Sequence, residues 1–167
     1  HERPQLFNNQ ASFLPNVEQG KDLYGFKFTQ AIQLDGLAND WPTFSQRAHF
    51  YGQQHQLYRQ KNIKSSPQET SLHFNASLGK YDKYLYLFFN VTDNQVIYRQ
   101  KNSRSISHND RVELAYVDPN GRFNRFLLSN KKAGWIDAYR ITDLDNNIPV
   151  PAPQIQGNWL TTPQGYN

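Results

Sequence analysis

The side chains able to do chemistry in this chain are dispersed. Its five histidines, His1, His49, His55, His73 and His108, show neither an H-E-x-x-H pattern nor a tight metal-ligand spacing, so no zincin-type centre is predicted. No G-x-S-x-G elbow and no phosphate-binding G-x-x-x-x-G-K-[ST] loop occurs, which sets aside those nucleophile and nucleotide readings. Cysteine is absent, and with it thiol catalysis and Cys-ligated zinc or iron–sulfur clusters. The carboxylates Asp93, Asp110, Asp118, Asp137, Asp143 and Asp145 are hard oxygen donors of the kind Ca²⁺ takes. Their densest local group, Asp143-Leu144-Asp145-Asn146-Asn147, reads first as a polar turn and second as a Ca²⁺ loop. Asn75-Ala76-Ser77 and Asn90-Val91-Thr92 match the glycosylation sequon, but both fall in predicted strands and read as chance.

The elements that must position these groups are strands. Tyr84–Thr92 (YLYLFFNVT) is the most apolar run and is predicted as a central strand buried on both faces. Ser71–Ser77 and Arg111–Val117 alternate apolar and polar residues, the pattern of half-buried strands. Asp118-Pro119-Asn120-Gly121 predicts a hairpin turn into a return strand over 122–128, because Pro presets φ and Gly tolerates a positive one. Residues 135–141 form a further strand, while Ala48–Tyr58 is left as strand or short helix. Alternating Pro149, Pro151 and Pro153 force extended chain near the end. Seven or so short strands with Gly, Pro and Asn punctuation predict an all-β antiparallel sandwich.

Composition supports one domain. The chain has 167 residues, 37% hydrophobic and 14% aromatic, with 17 Asn and 16 Gln, so an aromatic core sits under a polar, largely uncharged surface and disorder is not expected. No apolar run approaches the ~18 residues of a membrane-spanning helix. The net charge of +4 is spread singly. Its densest spots, Arg59, Lys61, Lys64 and then Arg99, Lys101, Arg104, read as solvated loop ends, and no nucleic-acid partner is expected. The pentapeptide Tyr-Arg-Gln-Lys-Asn occurs at 58–62 and 98–102 without matching flanks; it reads as two strand ends entering basic loops, or else as two loops framing one acidic ligand. Lack of Met marks His1 as something other than a natural start and predicts a mature or excised piece. Residues 1–22 are predicted as an arm and 23–167 as the sandwich domain.

Three stretches in order, IQLDGLANDWP (32–42), YLYLFFNVTD (84–93) with NDRVELAYVD (109–118), and Gly165-Tyr166, resemble the family 9 carbohydrate-binding modules and the wider DOMON-like β-sandwiches. Those families show DG-x-x-x-DW, LY-x-x-x-x-V-x-D, D-x-V-E, a strand with a central Arg, and a GY strand leading to E-x-x-IP. The resemblance implies a jelly-roll or immunoglobulin-like antiparallel sandwich, with Asp35-Gly36 forming a tight turn, Asp40 accepting backbone N–H groups of the next turn and Trp41 plugging one end. It also implies a ligand site: Glu113 and Arg125 match the carboxylate and guanidinium that grip ligand hydroxyls in sugar-binding members. Physically the same pair is equally a cross-strand ion pair on an exposed face. The stacking Trp of sugar-binding members is replaced by Ser107, leaving His108 and Trp135 as substitute plates. The chain also ends ahead of the E-x-x-IP strand, so the sandwich is expected to lack its last strands.

Leu23-Tyr24, IQLDGLANDWP and YLYLFFNVTDNQVIYR are similar to the periplasmic input domains of proteobacterial membrane histidine kinases. This implies an extracytoplasmic sensor domain, non-catalytic itself, tethered to the membrane by segments outside this chain. It would bind a small molecule or a glycan without a cofactor, Ca²⁺ excepted, and leave room for a homodimer of the full-length protein. The alternatives are a carbohydrate-binding module of a secreted polysaccharide-degrading enzyme and an interaction domain without a small ligand.

Overall fold

The apolar run at 84–92 sets the architecture. In the computed structural model, which describes residues 25–41, 48–52, 72–100, 109–142 and 149–167, this run is strand β4 (Tyr84–Thr92), paired along its whole length with β3 (His73–Tyr81). Because side chains alternate across a strand, the run feeds two faces at once. Phe88 points to one face and joins Phe26, Phe28, Ile32 and Trp41 in a buried cluster flanked by Tyr81 and Tyr86. Val91 points to the other and joins Trp159 and Tyr166, with Phe74, Phe89, Val96, Tyr98 and Ile136 packed around them. Burial on both faces holds only for this far half of β4, since Tyr84, Leu85 and Leu87 are exposed.

Around the ladder lies a six-stranded sheet in the order β1–β3–β4–β12–β11, formed by β1 (Phe26–Lys27), β3, β4, β12 (Gly165–Tyr166) and β11 (Thr161–Thr162). The remaining strand, β2 (His49–Tyr51), shares the outer edge of β3 with β1: β1 runs parallel beside Gly79 and Lys80, and β2 antiparallel beside residues 74–76. A four-stranded sheet runs β5 (Val112–Val117), β6 (Phe123–Ser129), β8 (Asp137–Ile141), β9 (Pro149–Pro151). A small ribbon joins β7 (Gly134–Trp135) to β10 (Asn158–Trp159). All pairings except β1–β3 are antiparallel, and no helix occurs among the described residues. The predicted all-β sandwich is the fold observed, built from more and shorter strands than expected. Among the described residues no helix is long and apolar enough to cross a membrane.

Local chemistry explains the turns. The β5–β6 hairpin closes as predicted: Gly121 takes φ 77°, and the Asp118 Oδ1 accepts from the N–H groups of Asn120 and Arg122, both at 2.9 Å. In the 35–41 turn the Asp35 carboxylate accepts from Leu37 N–H at 2.8 Å. Asp40 differs from expectation: its Oδ2 accepts from Gln33 N–H at 2.7 Å, tying the turn back to the preceding segment. Trp41 lies in the core against Phe28 at 5.0 Å between ring centroids and Phe26 at 6.1 Å, both edge-on. Both sequon asparagines sit inside the ladder, opposite each other, and the Asn90 amide donates to Asn167 Oδ1 at 2.6 Å. The 1–22 arm lies outside the described residues.

The GY pair closes the six-stranded sheet. Gly165 has φ 146°, and a Cβ there would run into the backbone carbonyl of Val91, so a side chain meets both strain and a clash. Its neighbour Tyr166 stacks on Trp159 with ring centroids 4.1 Å apart. Gly165→Ala is therefore expected to destabilise the domain by about 3 kcal/mol, measured as a shift of the urea midpoint at unchanged slope.

Candidate functional site

One face of the four-stranded sheet collects the polar side chains. Register places Glu113 opposite Leu127, and Leu127 opposite Tyr139, in a single row across β5, β6 and β8. Arg125 lies one row away, opposite Ala115, and Ser129 pairs with Asp137 one row to the other side. Paired residues point the same way and positions two apart share a face, so Glu113, Arg125, Ser129, Asp137 and Tyr139 share one face with Leu127, and Leu127 and Ser129 are buried there.

Glu113 is bracketed by two guanidiniums. Arg125 donates to Oε2 through Nη2 at 2.8 Å and through Nε at 3.2 Å, while Arg111 Nε donates to Oε1 at 2.8 Å. The side chains are open to water, Glu113 at 33% and Arg125 at 24% exposure. The cross-strand ion pair anticipated from the sequence is thus formed. At this exposure it contributes about 0–1 kcal/mol, so a ligand hydroxyl can exchange into it at little cost.

A second, more buried group adjoins it. Arg99 reaches this face from the segment before β5, with its side chain only 6% exposed. Its Nη2 donates to Asp137 Oδ2 at 2.5 Å and to the Tyr139 hydroxyl at 2.9 Å, and its guanidinium lies 5.1 Å from the Tyr139 ring centroid. Arg99 N–H also donates to Asn130 C=O at 2.8 Å. Asn130 organises the connection to β8: its amide donates to the carbonyls of Lys132, Gly134 and Trp135, and its Oδ1 accepts from Asp137 N–H at 3.0 Å. Arg99 Nε and Ser129 Oγ are buried without a hydrogen-bond partner. The face therefore holds Arg99, Arg111 and Arg125 against Glu113 and Asp137, three cations to two anions.

No known protein family, curated protein or solved structure matches this chain. Three of the sequence motifs meet in space. Asp93 ends LY-x-x-x-x-V-x-D, Asp110 begins D-x-V-E and Tyr166 belongs to GY. Asp110 clamps the chain before β5: its N–H donates to Ile97 C=O at 2.9 Å, and its Oδ2 accepts from Ile97 N–H at 2.8 Å. Burial, and secondarily the nearby Asp93 charge, push the Asp110 carboxyl above its ordinary pKa despite the Ile97 hydrogen bond. Burial, then Asp110 and Asp93, push the Tyr166 hydroxyl up as well. These motif residues serve closure of the fold.

The other predicted site residues are placed differently. Trp135 is 69% exposed on β7, and none of its described contacts reaches Glu113 or Arg125. His108 and Ser107, like the 143–147 oxygen group and the first copy of the pentapeptide, lie outside the described residues. No group of three or more His, Asp or Glu able to hold a metal occurs among the described residues. Arg99 corrects an expectation: it is a buried partner of Asp137, not a solvated loop end. Sequence reasoning also passed over Tyr139, although Asp-x-Tyr at 137–139 puts both side chains on one face of a strand.

Two outcomes follow from this geometry. Arg99→Leu removes two charge-assisted hydrogen bonds and is expected to cost about 2 kcal/mol, read by thermal or urea unfolding. Asp110 ionises less readily in the folded state, so its favourable contribution is present in acid, below 3.8, and is lost as pH rises through the raised folded value. Asp110→Asn keeps an acceptor for Ile97 N–H, and is expected to unfold at a higher temperature than the parent at pH ~7 and to lose that advantage near pH ~3.

Proposed function

We propose that this chain is the extracytoplasmic ligand-sensing domain of a membrane-bound sensor histidine kinase, binding a small polar molecule or glycan on the polar face of the four-stranded sheet. The observation that carries the reading is the solvent-open Arg111–Glu113–Arg125 array, continued across the sheet by Tyr139 and Asp137. Guanidinium donors alternate there with carboxylate acceptors, the arrangement that holds vicinal hydroxyls or a small polar head group. The sandwich is of the DOMON-like jelly-roll or immunoglobulin-like type in this reading, and the domain binds without itself making or breaking bonds. Ligand occupancy shifts the domain between two states and so biases the segments that attach it to the membrane.

Trp135 favours the second reading, a carbohydrate-binding module of a secreted enzyme. A tryptophan 69% exposed at a sheet edge is a ready plate for a sugar ring. Flanking apolar runs of about 20 residues would accompany the sensor, and a glycosidase domain would accompany the module.

A glycan array combined with a metabolite thermal-shift screen tests the site. A ligand is expected that raises the melting temperature, with Glu113→Ala and Arg125→Ala each weakening it about tenfold or more while the ligand-free melting temperature barely moves. No ligand in either screen, or unchanged binding by both variants, overturns the assignment.

A further inference from the structure

The β3–β4 ladder ends in a two-residue turn, Asp82-Lys83, between the paired Tyr81 and Tyr84, with Asp82 at φ 51°. On one face of the sheet, Leu78 pairs with Leu87, Lys80 with Leu85, and farther along Ala76 with Phe89 and Phe74 with Val91. This apolar strip is continuous, yet its cover is not. Phe74, Phe89 and Val91 pack under Trp159 and its neighbours. Leu87 and Leu85 are left 39% and 66% exposed, and Tyr84, at the tip on the opposite face, is also exposed.

Among the described residues, the charges around the bare end are of one dominant sign. Lys27 pairs with Lys80 across β1 and β3, and Lys80 with Leu85 across β3 and β4, so the three form one row with Lys80 beside Leu85. Lys83 sits in the turn with its ammonium 5.5 Å from the Tyr84 ring centroid. Asp82 is the one carboxylate in the turn, against Lys27, Lys80 and Lys83. Two copies meeting through this surface would bring like charges together, which opposes self-association.

We propose that this hairpin tip docks on an anionic lipid bilayer. Leu85 and Leu87 enter the boundary of the acyl region, Tyr84 rests among the head groups, and Lys27, Lys80 and Lys83 reach lipid phosphates along their apolar stems. The tip shares no residue with the Glu113–Arg125 face, so docking and ligand capture fail or succeed separately.

Flotation with vesicles of phosphatidylglycerol and phosphatidylcholine in equal parts, against phosphatidylcholine alone, tests this. Binding is expected to the anionic vesicles only and to fall with added salt. Each lysine removed is expected to lower partitioning about fivefold, so Lys80→Gln/Lys83→Gln weakens it by more than tenfold. Leu85→Asn lowers it about tenfold, and Glu113→Ala leaves it unchanged. Because both substituted surfaces are exposed, near-ultraviolet circular dichroism of the variants should match the parent. Failure to bind anionic vesicles, equal binding to phosphatidylcholine, or parent-like binding by the lysine and leucine variants overturns the proposal. So does a dimer in sedimentation velocity that Leu85→Asn dissolves.

Discussion

A single nine-residue antiparallel ladder, β3 against β4, carries the molecule. Its alternation places large apolar side chains on both faces, and an exposed sheet of that kind would not stay in water. Each face is accordingly covered by its own tryptophan: Trp41 over Phe26, Phe28 and Phe88, and Trp159 over Val91 and Tyr166. Segments distant in sequence are drawn to the ladder by this demand. The 35–41 turn is folded down by Asp40 and Trp41, and 158–166 returns to lay Trp159 against Tyr166.

The four-stranded sheet is joined to this core by the chain that leaves β4, by the chain that leads from β9 to β10, and by the β7–β10 ribbon. Residues 94–100 leave β4 and are gripped at two points: Asp110 holds the Ile97 backbone through its own N–H and its carboxylate, and Arg99 is held by Asp137, Tyr139 and the Asn130 carbonyl. A buried guanidinium paired with a carboxylate is costly to move, and it lies on the same sheet face as the exposed Glu113–Arg125 pair. The stiff half of that face is thus the part tied to the core, while the open half is free to meet solvent.

What the sequence disclosed follows the range of the forces involved. The Asp118–Gly121 turn was readable because its hydrogen bonds span only a few residues. The bounds of β4 were readable because six consecutive apolar and aromatic residues, 84–89, lead into Val91 between polar turn residues. The parallel pairing of β1 with β3 was not, since two residues carry no periodicity and their placement depends on packing against Trp41. Asp40 was expected to serve the next turn and serves Gln33 instead, a choice made by the tertiary path of the chain. In the site, Glu113 and Arg125 came from motif resemblance, and their diagonal approach, one row apart on the same face, follows from the hairpin register. Arg99 was misjudged because its partner lies 38 positions away, a distance at which composition says nothing about charge pairing.

The short strands at the margins of the six-stranded sheet have a bearing on self-assembly. One border is shared by β1 and β2, of two and three residues and opposite direction, and the other is β11, of two residues. Such stubs present only a few unpaired amides in line, too few to template an intruding strand. The long ladder is bordered less evenly: among the described residues β12 pairs only with Val91 and Thr92 of β4, and residues 84–90 have no further strand on that side. For a chain so rich in asparagine and glutamine, whose side chains readily stack into amyloid ladders, the short borders oppose cross-β templating at the sheet's margins, and the open stretch of β4 is where an intruding strand would find its longest row of amides.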